Sequence, residues 1–329
     1  MTTTPALNLP NFAEGMLDLD HGHCMYWRSH GNPAGPAVLI LHGGPGGHHN
    51  PRAAEFFDPA VWRVVMYDQR GCGRSTPLAS IEHNTLADLV ADVETLRQHL
   101  DVDRWALFGG SWGTRLAISY GVEHAPRCLG FMLRGVFLGR PQDIEWFLWD
   151  ARRLFPDSHR TFLDAVETAC GQRPQNLAQL LSFTRPVLDA DHPHRLSLAT
   201  AWDAYESRMA SVVEMPAPST EPHEIAEQQL RALTIAVLER HYMASVLPAA
   251  PDVLTQVHAV AHLPCEIVHG RYDAICPYEQ AWDLAAVWPA AVLTAAPMSG
   301  HWTFAPEMAG LLHQASDRLL ARLDGTFSR

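Results

Sequence analysis

Ser111, Asp273 and His301 stand far apart in the chain, and each lies just beyond a short apolar run. A hydroxyl, an imidazole and a carboxylate are the set that nucleophilic acyl transfer needs. The serine attacks, the histidine takes its proton and later hands it to the leaving group, and the acid holds the imidazole tautomer and stabilises its cation. Ser111 is the centre of Gly109-Gly110-Ser111-Trp112-Gly113, a Gly-x-Ser-x-Gly turn between the apolar run from Trp105 and a helix-compatible segment from Thr114 to His124. In such a nucleophile elbow the strand-to-helix turn is so tight that the flanking residues must be small, and the hydroxyl is left standing at the sheet's carboxyl edge. Gly109 and Gly113 meet that demand, and the Trp112 N–H is aimed to serve as one oxyanion donor. The glycine loop His42 to Gly47 supplies the second donor, from Gly44 with Gly43 as the alternative. The loop has no G-K-[ST] ending and no G-x-G-x-x-G opening a helix, so it is not read as a nucleotide cradle.

The elements around these residues must bring them to one edge. Met16 to Asp20 and Cys24 to Arg28 read as two strands joined around Gly22. Ala37 to Leu41, Val61 to Tyr67, the run from Trp105, Leu129 to Leu133, Cys265 to His269 and Ala291 to Ala295 read as strands, several of them continuous apolar runs of the kind buried on both faces. Between Asn84 and Leu100 the apolar positions recur at three and four, which predicts an amphipathic helix capped by Asn84 or Thr85. Alternation of strand and helix predicts a doubly wound, mostly parallel sheet. The rhythm breaks after Leu138. The stretches Asp143 to Phe155, Leu196 to Met215 and Pro222 to Val246 are rich in helix formers, which predicts an inserted helical cap at 139–247 on a catalytic core of 1–138 and 248–329. A helix from Glu307 to Leu323 closes the chain. All three reactive residues then fall at carboxyl ends of parallel strands, where open α/β sheets place their sites. Their order, serine, acid, histidine, is that of α/β-hydrolases.

Bulk properties narrow the function classes. The chain has 329 residues, 47% hydrophobic and 18% charged, a globular composition with room for one or two domains. With 24 basic against 36 acidic residues the net charge is −12, which disfavours nucleic acid and anionic membranes and suits a cationic ligand. The opening MTTTPALNLPNF lacks the basic and apolar regions of a signal peptide, and no later run is long and apolar enough to span a bilayer, so a cytoplasmic location is expected. Six cysteines are scattered without a C-x-x-C pair, as expected of reduced thiols. His21, His23 and Cys24 fall around a hairpin turn, and no metal or cofactor is expected.

Seven segments, HGGPGG at 42–47, DQRGCGRS at 68–75, GGSWG at 109–113, LRGVFL at 133–138, LERHY at 238–242, HGRYDAICP at 269–277 and SGH at 299–301, together resemble prolyl aminopeptidase (proline iminopeptidase), a serine peptidase family of the α/β-hydrolase fold. The resemblance implies release of N-terminal proline from short peptides or small amides with a free amine. It places Ser111, Asp273 and His301 at the triad positions and Gly44 and Trp112 at the oxyanion donors. It further implies that Glu206 and Glu239, in the cap, hold the substrate amine, with Arg134 and Phe137 at pocket positions. A prolyl N-terminus is a protonated secondary amine with two N–H donors, and two facing carboxylates accept one each. Without a cation between them, such carboxylates repel and raise a pKa. Phe147 and Trp146 are candidate further walls. The chain departs from the family at Tyr205, at Trp302-Thr303-Phe304 after the histidine, at Thr114-Arg115 after the elbow, and over much of 150–200. Those departures keep two other readings open: a small-molecule amide, ester or lactone hydrolase with a repurposed cap, and a ligand-binding protein of this fold without turnover.

Overall fold

The computed structural model describes residues 12–213 and 221–327, with side chains to residue 323. The opening segment behind the signal-peptide reading lies outside those residues up to residue 11, and the helical stretch expected to reach Met215 ends at Met209, with only its last two residues outside the described part. Eight strands form one sheet: β1 (Ala13–Asp18), β2 (Cys24–Gly31), β3 (Ala37–Leu41), β4 (Arg63–Tyr67), β5 (Trp105–Gly110), β6 (Cys128–Arg134), β7 (Cys265–Gly270) and β8 (Ala291–Ala296). Their order is β1-β2-β4-β3-β5-β6-β7-β8. β1 and β2 pair antiparallel, as do β2 and β4, and every pairing from β4 to β8 is parallel. The central strands β3, β5, β6 and β7 are buried along their whole length, as their largely apolar runs require, with Glu266 and His269 of β7 buried among them. From β3 the chain steps outward to β4, then returns to lay β5 on the other side of β3. The crevice at the carboxyl ends of β3 and β5 is thus a topological switch point, where this architecture opens its ligand site.

Helix α1 (Leu86–His99) is capped by Thr85, whose hydroxyl accepts from the Asp88 N–H while Asp88 accepts from the Thr85 N–H. Asn84, the other candidate cap, instead accepts the Tyr242 hydroxyl at 2.6 Å. Helix α2 (Trp112–Glu123) follows β5 directly. Between β6 and β7 run α3 (Pro141–Leu148), α4 (Pro156–Cys170), α5 (Leu177–Leu188), α6 (Arg195–Met209) and α7 (Pro222–His241). Helices α8 (Tyr278–Val287) and α9 (Pro306–Phe327) complete the chain. Two packed cores lie on the sheet. One carries α1, α2 and the helices inserted after β6; the other packs Phe56, Phe57 and Trp62 against α9. Among the described residues no helix is long and apolar enough to cross a membrane.

Candidate active site

The elbow is built by two glycines. A Cβ on Gly109 would fall 2.4 Å from the Gly113 carbonyl oxygen, and one on Gly113 would fall 2.1 Å from that of Leu41, so any side chain at either place would prise strand from helix. Ser111 between them is held at φ 56° and ψ −125°, a strained conformation for a residue with a side chain and one found where function demands it. Its N–H is anchored on the Arg134 carbonyl at 2.9 Å. The next residue, Trp112, opens α2, so its N–H is among those a helix leaves without an internal partner.

The glycine loop after β3 packs against the serine: a Cβ on Gly43 would lie 3.1 Å from that of Ser111. Gly44 takes φ +115°, open only to glycine in practice. Gln69 ties loop to elbow. It accepts the Trp112 indole N–H at 2.9 Å, donates its side-chain amide to the His42 carbonyl at 2.9 Å, and gives its own N–H to His42 Nε2 at 3.0 Å. His42 Nε2 is therefore an acceptor and Nδ1 carries the proton, donated to Gly43 O at 2.9 Å. Burial, which pushes the His42 pKa down to about 4, keeps this neutral tautomer. The outer side of the loop is closed by α7, whose Thr234 hydroxyl donates to Gly46 O at 2.7 Å.

Asp273 and His301 come from the turns after β7 and β8. His301 Nδ1 lies 2.7 Å from Asp273 Oδ2, while Asp273 Oδ1 accepts the N–H groups of Ile275 at 3.0 Å and Cys276 at 2.8 Å. Burial opposes the Asp273 charge, but the His301 imidazole, His269 and these N–H bonds outweigh it and hold the pKa below the ordinary carboxylate value. His301 is fixed from behind as well, because Arg134 donates to its carbonyl at 2.7 Å and Gly135 leaves room for its ring. Ser111, Asp273 and His301 are 8%, 5% and 7% exposed. A cavity of about 290 Å³ is bordered by Ser111, His301, Gly43, Gly44, Arg134 and Glu206.

Glu206 reaches that cavity from α6, and Glu239, on α7, lies close enough for the two carboxyl groups to act on each other's charge. Glu239 Oε2 accepts the Trp202 indole N–H at 2.6 Å. Glu206 Oε2 and Glu239 Oε1 are buried without a hydrogen-bond partner. Burial pushes the Glu206 pKa up to about 7, against the pull of Arg231 and with a further push from Asp203. Burial and the neighbouring Glu206 raise Glu239 as well.

Residues 36–307 match the alpha/beta hydrolase fold family. The proline iminopeptidase of Xanthomonas citri is 42% identical over 310 residues, covering 93% of this chain and 96% of that protein. This chain belongs to the proline iminopeptidase family. A proline iminopeptidase of Arabidopsis thaliana is 36% identical, over 94% of this chain and 80% of its own. Among solved structures, the Mycobacterium smegmatis proline iminopeptidase superposes with a TM-score of 0.63 at 20% identity, covering 93% of this chain and 99% of that one. An esterase from Exiguobacterium antarcticum superposes with 0.64 at 18% identity, with the same coverage; both likenesses establish the fold.

Three expected pocket walls lie elsewhere. Phe137 and Phe147 are buried, 4% and 2% exposed, and neither borders the cavity. Phe137 is locked through its backbone, which both accepts from and donates to the Thr114 hydroxyl. Phe147 lies on the buried face of α3, where its carbonyl accepts the Tyr205 hydroxyl at 3.4 Å. Trp146 is half-buried and donates to Ala274 O at 2.8 Å. Aromatic type alone carries no direction, and the apolar lining comes instead from Ile40, Phe108, Ile235, Ile275, Trp302 and Phe304. Arg134 does border the cavity, while also gripping the histidine backbone. The chain reading missed Gln69, Trp202, Asp203 and Arg231. Trp202, three residues after Ala199 and four before Glu206, was the findable one, since the spacing puts it on one face of α6 with the glutamate.

Proposed function

We propose that this protein is a serine exopeptidase that releases N-terminal proline from peptides through an acyl-enzyme. Ser111 Oγ attacks the prolyl carbonyl as His301 Nε2 takes its proton, and Asp273 holds the imidazole and balances the imidazolium. The N–H groups of Trp112 and Gly44, or Gly43 in its place, receive the oxyanion, each worth roughly 3 kcal/mol in the transition state. His301 returns the proton to the departing peptide nitrogen, and the C–N bond breaks. It then takes a proton from water, which attacks the prolyl ester, and gives that proton to Ser111 Oγ as the C–O bond breaks and proline leaves. Glu206 and Glu239 accept the two N–H donors of the substrate's ammonium. The helices of 139–247 serve as a lid over a core made of 1–138 and 248–329. No metal or cofactor takes part in these steps. All six cysteines are free thiols, which supports cytoplasmic work on short peptides.

The observation that carries the reading is the pair of unpartnered carboxylate oxygens, one on Glu206, which borders the cavity with Ser111 and His301, and one on its neighbour Glu239. A cation with two N–H donors completes them; a neutral ester does not. Turnover of a prolyl arylamide, an N-acetylprolyl arylamide and p-nitrophenyl acetate tests it. Rapid release from the first alone is expected, and equal rates on the blocked and free arylamides would overturn the assignment.

A further inference from the structure

The cavity has two chemically opposite ends. Glu206, Ser207 and Arg231 border it from α6 and α7, with Ile235 from the core that carries the inserted helices. Ile40, Phe108, Ala53 and Phe304 also border it, and these four belong to the core on the other side of the sheet. Ser111 and His301 border the same cavity. The apolar end is preformed: Phe304 stacks on Phe56 with centroids 6.0 Å apart and planes 18° apart, and Phe56 meets Phe108 edge-on at 5.9 Å. The Arg52 guanidinium lies 4.2 Å from the centre of the Phe304 ring, a second restraint on it.

We infer that this apolar end is the subsite for the second residue of the substrate, and that it takes an aliphatic or aromatic side chain there. The inference rests on the exopeptidase reading above. A peptide bond placed at Ser111 has an acyl side bearing the ammonium, which the carboxylates draw toward α6 and α7. Its nitrogen side, with the second residue, must then run the other way, where the described lining is Ile40, Phe108, Ala53 and Phe304. Position agrees, since the residue that protonates the leaving nitrogen, His301, is followed in the chain by the Trp302 and Phe304 that border this end. An apolar side chain gains there by leaving water. An aspartate at the same place loses its hydration, and the nearby Arg52 guanidinium is engaged on the Phe304 ring.

The test compares kcat/KM for Pro-Phe-NH2, Pro-Leu-NH2, Pro-Gly-NH2 and Pro-Asp-NH2. The phenylalanine and leucine amides should exceed the glycine amide by about tenfold or more, with aspartate lowest, in keeping with the roughly 10- to 200-fold range of apolar pockets. Phe304→Ala empties the subsite and should lower the Pro-Phe-NH2 value about tenfold while leaving Pro-Gly-NH2 within about twofold. Ala53→Phe fills it and should do the same without creating a cavity. Equal wild-type rates on all four amides, or two variants that slow all four alike, would overturn the subsite alone. No turnover of any amide by protein that a fluorophosphonate labels at Ser111 would overturn the exopeptidase reading and the subsite with it.

Discussion

Asp273, behind the cavity-lining His301, and the Glu206–Glu239 pair are both buried carboxylate sites, and their pKa values are pushed in opposite directions. Asp273 has His301 Nδ1 at 2.7 Å and two backbone N–H groups at 3.0 and 2.8 Å, so the protein itself completes its charge. The glutamates have one indole N–H between them, and two oxygens left without a partner. Desolvation works against the charge in both places, and what differs is the supply of donors. A site finished from within is machinery that must stay the same through every turnover. A site left short of donors is finished only by what binds.

The sharpest way to break the contrast is to remove charge from the finished site. Asp273→Asn should lower kcat for a prolyl arylamide by about 10⁴-fold, because the amide stabilises the wrong imidazole tautomer and no imidazolium. KM should change little, since the amine is held elsewhere. Ser111→Ala should abolish covalent labelling and reduce turnover at least as far. A kcat loss under tenfold for either variant would remove them from the mechanism.

Removing charge from the unfinished site should do the reverse. Each of Glu206→Gln and Glu239→Gln takes away one charge-assisted acceptor, worth about 1.5–3 kcal/mol, so KM for the prolyl arylamide should rise by roughly 10- to 100-fold per substitution. Fluorophosphonate labelling of Ser111 should persist at its original rate. Equal loss of labelling would mean that the glutamates support the fold and not the amine.

The same contrast predicts a pH profile. With both carboxyls raised and Glu206 pushed up to about 7, the pair takes on negative charge only as pH rises through neutrality. Affinity for a prolyl amine should therefore climb between about pH 6 and 7.5, then fall above about pH 8 as the amine itself loses its proton. Stability runs the other way. A carboxyl whose folded pKa is raised favours the folded state fully below the unfolded value, and that advantage is lost as pH rises through the folded value. Glu206→Gln should thus leave stability unchanged near pH 4 and increase it near pH 8, by on the order of 1–2 kcal/mol in denaturant titrations. A variant less stable than the wild type at pH 8 would contradict the unpartnered state.

The two sites also differed in how far the chain alone revealed them. The finished site was legible because each of its residues follows a short, largely apolar run, and such runs become the parallel strands β5, β7 and β8, the last at the sheet's edge. The elbow glycines were legible for a steric reason that the 2.4 and 2.1 Å approaches bear out. The inserted helices were harder. Their start and the long α7 were visible, but α4 and α5 were not, although His159, Phe162, Leu163 and Val166 recur at helical spacing on α4 and Leu180, Thr184 and Val187 on α5. Pro186 inside α5 obscures that pattern. Gln69 gave no signal at all, since its three bonds reach residues 27 and 43 positions away and no local periodicity encodes that. Resemblance alone found the glutamates, because an acidic residue on a helix reads the same whether it faces solvent or another carboxylate.

The smallest expected effect tests how the unfinished site is kept open. Asp203 on α6 pairs with Arg231 on α7 at 2.9 Å, and Arg231 borders the same cavity as Glu206. Arg231 attracts both glutamates, so without a partner of its own it would compete with the substrate for them. Asp203 occupies it. Asp203→Asn should release Arg231 toward Glu206, raise KM for the prolyl arylamide about threefold, the size of a partly exposed ion pair, and leave kcat unchanged. It should also move the rise in affinity to lower pH, because a guanidinium brought closer favours the ionised glutamate and the loss of the Asp203 charge removes a repulsion. Arg231→Gln in the same protein should bring KM back toward the wild-type value, as no cation is then left to compete. Additive losses in that double variant would instead mean that the pair merely braces α6 against α7 and has no part in keeping the two carboxylates free for an incoming amine.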